Sequence, residues 1–289
     1  MEQSTNRPKV GLVLGSGGIK ALAAIPLLQF LEKEGIDTDL IIGCSGGSLV
    51  GGYWASGKSA GDIRENVNHL WSRDLFAKTD YRTLLSIAGL PFGRFDLENG
   101  MIKADRIKDR YREMWGDLRV EDLERRMFLQ STGALSGDPV LIKEGLMWES
   151  AYASGALFPI LPAIEINGSF LMDGVFSSPL PVMEAVNEGM DVIIAMSYEE
   201  ITDDPSKGFF PYFMRTTDYF QRWLRRNQTA LSIDLHHHEI VFLNVVFERY
   251  ISFRATRRIP QILEAGDKVV EEQGSNILAA IKSFSKSLD

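Results

Sequence analysis

The 289-residue chain is 45% hydrophobic and carries a net charge of −8. That is apolar material for one large core or two small ones. The charge argues against non-specific nucleic-acid binding and against simple attraction to an anionic membrane. Its one cysteine, Cys44, excludes an internal disulfide, and one thiol with four histidines offers no zinc-ligand spacing. Met1 to Val10 lacks a secretory apolar segment, and no apolar stretch reaches the ~18 residues of a membrane span. The expected setting is reducing and cytoplasmic. With no linker, repeat or long low-complexity tract, residues 1–289 read as one domain, with a core over about 9–198 and a C-terminal strand and helices over about 199–289.

Lys9 to Leu14 reads as a short buried strand, followed by the glycine turn Gly15-Ser16-Gly17-Gly18. Ile19 to Glu34 has helical spacing, with Leu22, Ile25, Leu28 and Leu31 on one side. Pro26 inside it predicts a kink or a delayed start, and Gly35 a C-terminal cap. Asp39 to Ile42 is a second strand and Ser48 to Ala55 a second helix. This βαβα opening predicts a parallel or mixed sheet covered on both faces. Further strands are expected over Met127 to Gln130, Val140 to Lys143, Ser169 to Met172, Val192 to Met196 and Ile240 to Val246. Further helices are expected over Ala60 to Arg73, Ala104 to Trp115, Met147 to Ala153, Pro181 to Glu188 and Ile259 to Ser283. Asp74 to Gly100 is left without an assignment, apart from Leu84 to Phe92, which reads as a buried connecting helix or, alternatively, a cap or acyl-chain groove.

Between the second strand and second helix stands Gly43-Cys44-Ser45-Gly46-Gly47, a G-x-S-x-G. Strand, sharp turn and helix in that order make a nucleophile elbow. Gly43, Gly46 and Gly47 remove Cβ atoms where strand and helix crowd, so Ser45 is held at the turn tip beside a helix N-terminus. A Gly/Ser-rich turn without chemistry is the alternative. The loop Gly15 to Lys20 fails both nucleotide patterns. A dinucleotide fingerprint needs glycine where Lys20 stands, and a P-loop needs Gly-Lys-Ser/Thr. Its backbone N–H groups at a helix start still make a concave anion site. If the first two strands are adjacent, this loop lies beside Ser45, where an oxyanion hole belongs.

A serine nucleophile needs a base. His69, His236, His237 and His238 leave a Ser-Asp-His α/β-hydrolase open, with Asp173 as its acid. The three adjacent histidines precede a strand, however, and so are expected at the sheet edge opposite Ser45. The other base is Asp173 itself, at the end of Ser169 to Met172, forming a dyad with Ser45. Taken alone, Asp173-Gly174 reads first as a β-turn.

These residues together resemble the patatin-like phospholipase family, over about Lys9 to Tyr198 with a looser match near Ala265-Gly266. Gly15 to Ala21 is similar to the family's glycine-rich oxyanion loop: Gly17, Gly18 and Lys20 match, while Ser16 and Ala21 replace glycines. Gly43 to Gly47 matches the elbow, Ser154 to Pro159 resembles the segment A-S-x-A-x-P, and Asp173-Gly174 matches D-G-G/A with Val175 third. The short form is similar to the bacterial branch related to neuropathy target esterase.

The resemblance implies a three-layer α/β/α fold with a mainly parallel central sheet. It implies a Ser45–Asp173 dyad without histidine, an oxyanion hole from the backbone of Gly17, Gly18 and Gly46, and support of the glycine loop by Gly15 and Lys20. The implied reaction is hydrolysis of phospholipids, lysophospholipids or other lipid esters through an acyl-enzyme, with no cofactor and no metal. Acyl transfer to an alcohol, or a catalytically weak regulatory or interaction protein on the same scaffold, are the competing readings. Aromatics from Phe209 to Trp223 beside Arg222, Arg225 and Arg226 suit transient contact with a membrane surface, and suit a homo-oligomer contact or core packing as well.

Overall fold

The computed structural model describes residues 7–201, 209–236 and 239–287. The elements in chain order begin with β1 (Val10–Leu14), α1 (Ile25–Lys33), β2 (Leu40–Cys44) and α2 (Gly46–Ala55). Next come α3 (Ala60–Glu65), α4 (Val67–Leu70), α5 (Tyr81–Ile87) and α6 (Asp105–Trp115). These are followed by β3 (Met127–Gly133), β4 (Pro139–Ile142), α7 (Met147–Gly155), β5 (Ile164–Ile166), β6 (Ser169–Asp173) and α8 (Val182–Asn187). The chain ends with β7 (Val192–Glu200), α9 (Phe209–Leu235), β8 (Glu239–Phe247) and α10 (Ile259–Ser287). No described helix is long and apolar enough to cross a membrane.

Among the described residues, the eight strands form one sheet in the order β5-β6-β3-β2-β1-β7-β8, with β4 paired to β3. The run β3-β2-β1-β7-β8 is parallel, while β4 and β6 lie antiparallel to β3. Side chains alternate between two buried faces. Leu12, Leu14, Ile41, Ile194 and Met196 join one core; Val13, Ile42, Ile193 and Ala195 join the other. Burial on both faces explains why these strands read as continuous apolar runs. α2 and α10 pack on the first face and α8 on the second, giving three layers.

Pro26 delays the first helix rather than kinking it. Gly18–Ala24 is a tight 3₁₀ segment and α1 starts at Ile25, with the proline in its first turn, where no N–H is needed. Three expectations are corrected. The single helix over Ala60 to Arg73 is broken at Asn66, whose side chain donates to the Asp62 carbonyl (3.0 Å) and competes with helix continuation. A strand not expected from the sequence, β5, pairs with β6 across the turn Asn167-Gly168, where both residues have positive φ (52° and 78°), as a tight hairpin requires. Leu84 to Phe92 is not a buried connecting helix: α5 is followed by an exposed turn, and Phe92 is 91% exposed.

Candidate active site

The parallel pairing of β1 with β2 in register (Leu14 opposite Gly43) brings the glycine loop and the elbow out at the same sheet edge. Ser45 has φ 54° and ψ −121°, a conformation that costs a non-glycine residue energy and persists only where the surroundings over-determine it. Those surroundings are close. A Cβ on Gly46 would collide with the Gly18 carbonyl, and one on Gly47 with the Leu14 carbonyl, so only glycine allows α2 to start so near the glycine loop.

Asp173 ends β6, which is held antiparallel against β3 with Ser131 opposite Asp173. The Ser45 hydroxyl donates to Asp173 Oδ2 at 2.8 Å, and Oδ1 accepts the Val175 N–H at 2.9 Å. The aspartate's own N–H donates to the Ala156 carbonyl, and its carbonyl accepts from the Thr132 hydroxyl. The residue is 2% exposed. Burial pushes its carboxyl up to about 7, against the opposing pull of the Val175 N–H and the Ser45 hydroxyl. A carboxyl at that value is balanced between accepting and releasing a proton near neutrality.

The N–H groups of Gly15 and Ser16 are used on the carbonyls of Met196 (2.9 Å) and Pro179 (2.8 Å). Those of Gly17, Gly18 and Gly46 stand at helix starts, where no intrahelical acceptor exists. The dipole of α2 adds positive potential at the same place. Lys20, near the start of the 3₁₀ segment, is largely withdrawn from solvent. Its ammonium lies 2.9 Å from Glu200 Oε1, with side-chain exposures of 12% and 6%. Glu200 also accepts the Ile251 N–H, so the pair ties the glycine loop to the end of β7 and to the segment after β8.

Neither described histidine approaches the serine–aspartate pair. His69 stacks at a tilt near Tyr53, and His236 lies 3.2 Å from the Asp191 carbonyl, at the start of β7 and thus at the opposite sheet edge. His237 and His238 lie outside the described residues, as do the side chains of Phe209, Phe210 and Phe213. Cys44 is fully buried, and burial pushes its thiol well up, which keeps it unreactive.

Two residues beyond the expected set complete the geometry. The buried Ser154 hydroxyl accepts the Ser45 N–H (3.0 Å), donates to the Gln130 carbonyl (2.6 Å) and meets the Ser48 hydroxyl (2.7 Å). Ser154 opens the segment Ser154 to Pro159, but only the packing of α7 against the elbow gives its hydroxyl this role. Tyr198 packs so tightly that a Cβ on Gly17 would stand 2.5 Å from its ring. Ser45 lines two cavities. One is lined by Trp71, Phe76, Leu157, Phe253 and a charged wall; the other, smaller and apolar, by Leu70, Leu75, Ile107, Tyr111 and Tyr152.

A strained serine at a strand–helix elbow, hydrogen-bonded to a buried carboxylate and flanked by two helix starts, gives this α/β protein the arrangement of a nucleophile elbow. The family model described as patatin-like phospholipase matches residues 12–186, more than half of the chain, and the chain belongs to that family. It is 32% identical over 219 residues to a lysophospholipase NTE1 of Debaryomyces hansenii, covering 71% of this chain and 13% of that protein. It is 27% identical over 234 residues to an uncharacterized NTE family protein of Mycobacterium bovis, covering 80% of this chain and 60% of that one. The chain thus spans about an eighth of the yeast relative's length. Among solved structures it is similar to VipD from Legionella pneumophila, at TM-score 0.48 and 11% identity, covering 98% of this chain and 67% of that one. The three-layer fold with a mostly parallel sheet is the fold of this family.

Proposed function

We propose that the chain is a serine acyl-ester hydrolase acting on phospholipids, lysophospholipids or related lipid esters through a Ser45–Asp173 dyad. The observation that carries this reading is the 2.8 Å hydrogen bond from the Ser45 hydroxyl to a buried carboxylate at a strained elbow. Asp173 takes the serine proton as Oγ attacks the ester carbonyl. The N–H groups of Gly17, Gly18 and Gly46 stabilise the oxyanion. Asp173 then returns the proton to the leaving alcohol, and water activated by the same carboxylate releases the acid.

Gly15 holds the loop through its bond to Met196, Lys20 anchors it to Glu200, and Gly43 and Gly47 admit the tight elbow. The apolar cavity beside Ser45 suits an acyl chain. The name lysophospholipase carried by the yeast relatives supports the substrate class.

On this reading the enzyme meets lipid through α9. The face of α9 turned toward the cavity carries Asp218, Gln221, Arg222 and Arg225, while Tyr212, Tyr219, Phe220 and Trp223 stand exposed on the other side. A helix with aromatic residues outward and arginines nearby suits an interfacial position.

The test is labelling by a fluorophosphonate probe. Labelling of the native chain that is lost in Ser45→Ala supports the activated serine, and Asp173→Asn should slow it at least about a hundred-fold. A folded native protein that takes no label favours instead a regulatory scaffold without turnover.

A further inference from the structure

The turn that follows Asp173 connects the two halves of the site. From Asp173 the chain runs through the 3₁₀ turn Gly174–Phe176 to Ser177 and on to Pro179. The Val175 N–H in this turn donates to Asp173 Oδ1 at 2.9 Å, and the Pro179 carbonyl accepts the Ser16 N–H of the glycine loop at 2.8 Å. Placement of the turn therefore bears on both the carboxylate and the glycine loop. The bonds inside the turn, from the Ser177 and Ser178 N–H groups to the Gly174 carbonyl, fix its shape but not its position on the sheet.

Position comes from two side chains on other elements, which meet at Ser177. The Gln228 amide of α9 donates to the Ser177 carbonyl at 2.7 Å. The Thr132 hydroxyl of β3, fully buried, donates to the Asp173 carbonyl at 2.9 Å and lies 2.7 Å from the Ser177 hydroxyl. With its single proton spent on Asp173, the threonine accepts from Ser177 at that contact. The turn is thus held at the Asp173 carbonyl and at both the carbonyl and the hydroxyl of Ser177. On the same helix Arg225 reaches Glu199 at 2.6 Å, so α9 is fastened both to the end of β7 and to the turn after the aspartate. Neither Gln228 nor Thr132 lines the cavities beside Ser45, so neither meets an ester bound there.

We propose that Gln228 and Thr132 are positioning residues: they clamp the turn between α9 and β3, and through it hold the Asp173 carboxylate against Ser45. The inference rests on the Ser45–Asp173 dyad of the proposed hydrolase. Loosening the clamp weakens the Val175 N–H contact, which pulls the carboxyl down against burial, so the carboxyl moves up from its value of about 7. The Cys44 thiol on β2 and the Tyr111 hydroxyl on α6 also face Asp173. Burial pushes both up, so both stay neutral in that range and add no charge to the titration.

The experiment compares the native chain with Gln228→Met, Thr132→Val and Thr132→Ser, each checked for cooperative thermal unfolding. Methionine keeps the length of the glutamine and valine the shape of the threonine, both without the donor, while serine keeps the hydroxyl. On a soluble ester, Gln228→Met and Thr132→Val should each lower kcat by about tenfold or more at unchanged KM, because small misplacements of reacting groups are expensive. Both should also move the acid limb of the kcat/KM profile to higher pH, and Thr132→Ser should stay near the native chain in both respects. A merely structural role would lower the melting temperature and leave kcat and the pH profile of the folded enzyme unchanged, and that result overturns the inference. Should Thr132→Val not fold, the half-buried Gln228 carries the test through Gln228→Met. Titration of the Asp173 carboxyl by its carbon-13 resonance, assigned by its absence in Asp173→Asn, gives a readout without turnover. A native chain that cleaves no ester and takes no fluorophosphonate label sinks the hydrolase reading separately. An Asp173 midpoint moved up in Gln228→Met then still supports the clamp, and an unmoved one overturns it.

Discussion

Ser154 holds Ser45 by the backbone: across 109 residues of sequence, its hydroxyl accepts the Ser45 N–H at 3.0 Å while donating to the Gln130 carbonyl at 2.6 Å. One buried hydroxyl thus couples the elbow to α7 and β3. Ser154→Ala leaves the Ser45 N–H, the Ser48 hydroxyl and the Gln130 carbonyl short of a partner, a cost of about 1–3 kcal/mol. The expected outcome is a lower melting temperature together with a fall in kcat of about ten-fold or more at little change in KM, because small misplacements of a nucleophile are expensive. Steady-state kinetics on a soluble ester separates the two effects; an equal rise in KM alone would contradict the positioning role.

The pH dependence follows from Asp173. As the base, it must be ionised, so kcat/KM should rise through about pH 7 and fall away on the acid side. Stability runs the other way. The native carboxyl titrates at about 7 and the reference value is 3.8, so protonation stabilises the fold fully at low pH. That contribution is lost progressively as pH rises toward and through 7. Asp173→Asn removes the penalty. Its melting temperature should therefore exceed the native value at pH 8, by a margin that shrinks at pH 4.5. Thermal melts at the two pH values check this, and a margin independent of pH would remove burial of the carboxylate as the cause.

Lys20 and Glu200 form a buried ion pair. Lys20→Met leaves Glu200 unpaired and is expected to cost about 3–5 kcal/mol. Adding Glu200→Gln should recover part of that, since the glutamine can still accept the Ile251 N–H. Denaturant unfolding of the two single variants and the double variant measures the coupling; additive losses would mean the pair contributes no mutual stabilisation.

If α9 contacts lipid through its exposed aromatic side, replacing Tyr219, Phe220 and Trp223 together by serine should abolish sedimentation with phosphatidylcholine vesicles while the chain stays folded. Trp223 is 65% exposed and Phe220 73%, so little packing is lost. Unchanged vesicle binding would place the interface elsewhere.

Cys44 precedes the nucleophile yet is fully buried, with its thiol pushed well up. It should not react with Ellman's reagent in the native state and should react once after denaturation. Rapid native reaction would mean that the elbow opens.

Local signals carried much of this protein. The apolar run Leu40-Ile41-Ile42 ahead of a G-x-S-x-G names a strand, a turn and a helix because crowding at such a turn tolerates only glycine around the serine. The two-faced burial of β1, β2 and β7 is written in their unbroken apolar runs. The proline in the first turn of α1 is likewise local, since its fixed φ and missing N–H act on its own segment.

Other features depend on distant pairings that no local pattern encodes. Asp173-Gly174 alone reads as a turn; only the antiparallel pairing of β6 with β3 brings the carboxylate to Ser45. The contacts of the Ser154 hydroxyl and the pairing of Lys20 with Glu200 exist only after α7 and β7 have packed. The exposure of Leu84 to Phe92 is not legible locally, because an apolar stretch states what can be buried, not what the rest of the fold leaves room to cover. The sequence by itself determined the elements and the nucleophile, whose requirements are satisfied within a few residues. Tertiary structure decided the base, its raised carboxyl and the charged wall, because burial and electrostatic pairing are properties of neighbours brought together from far along the chain.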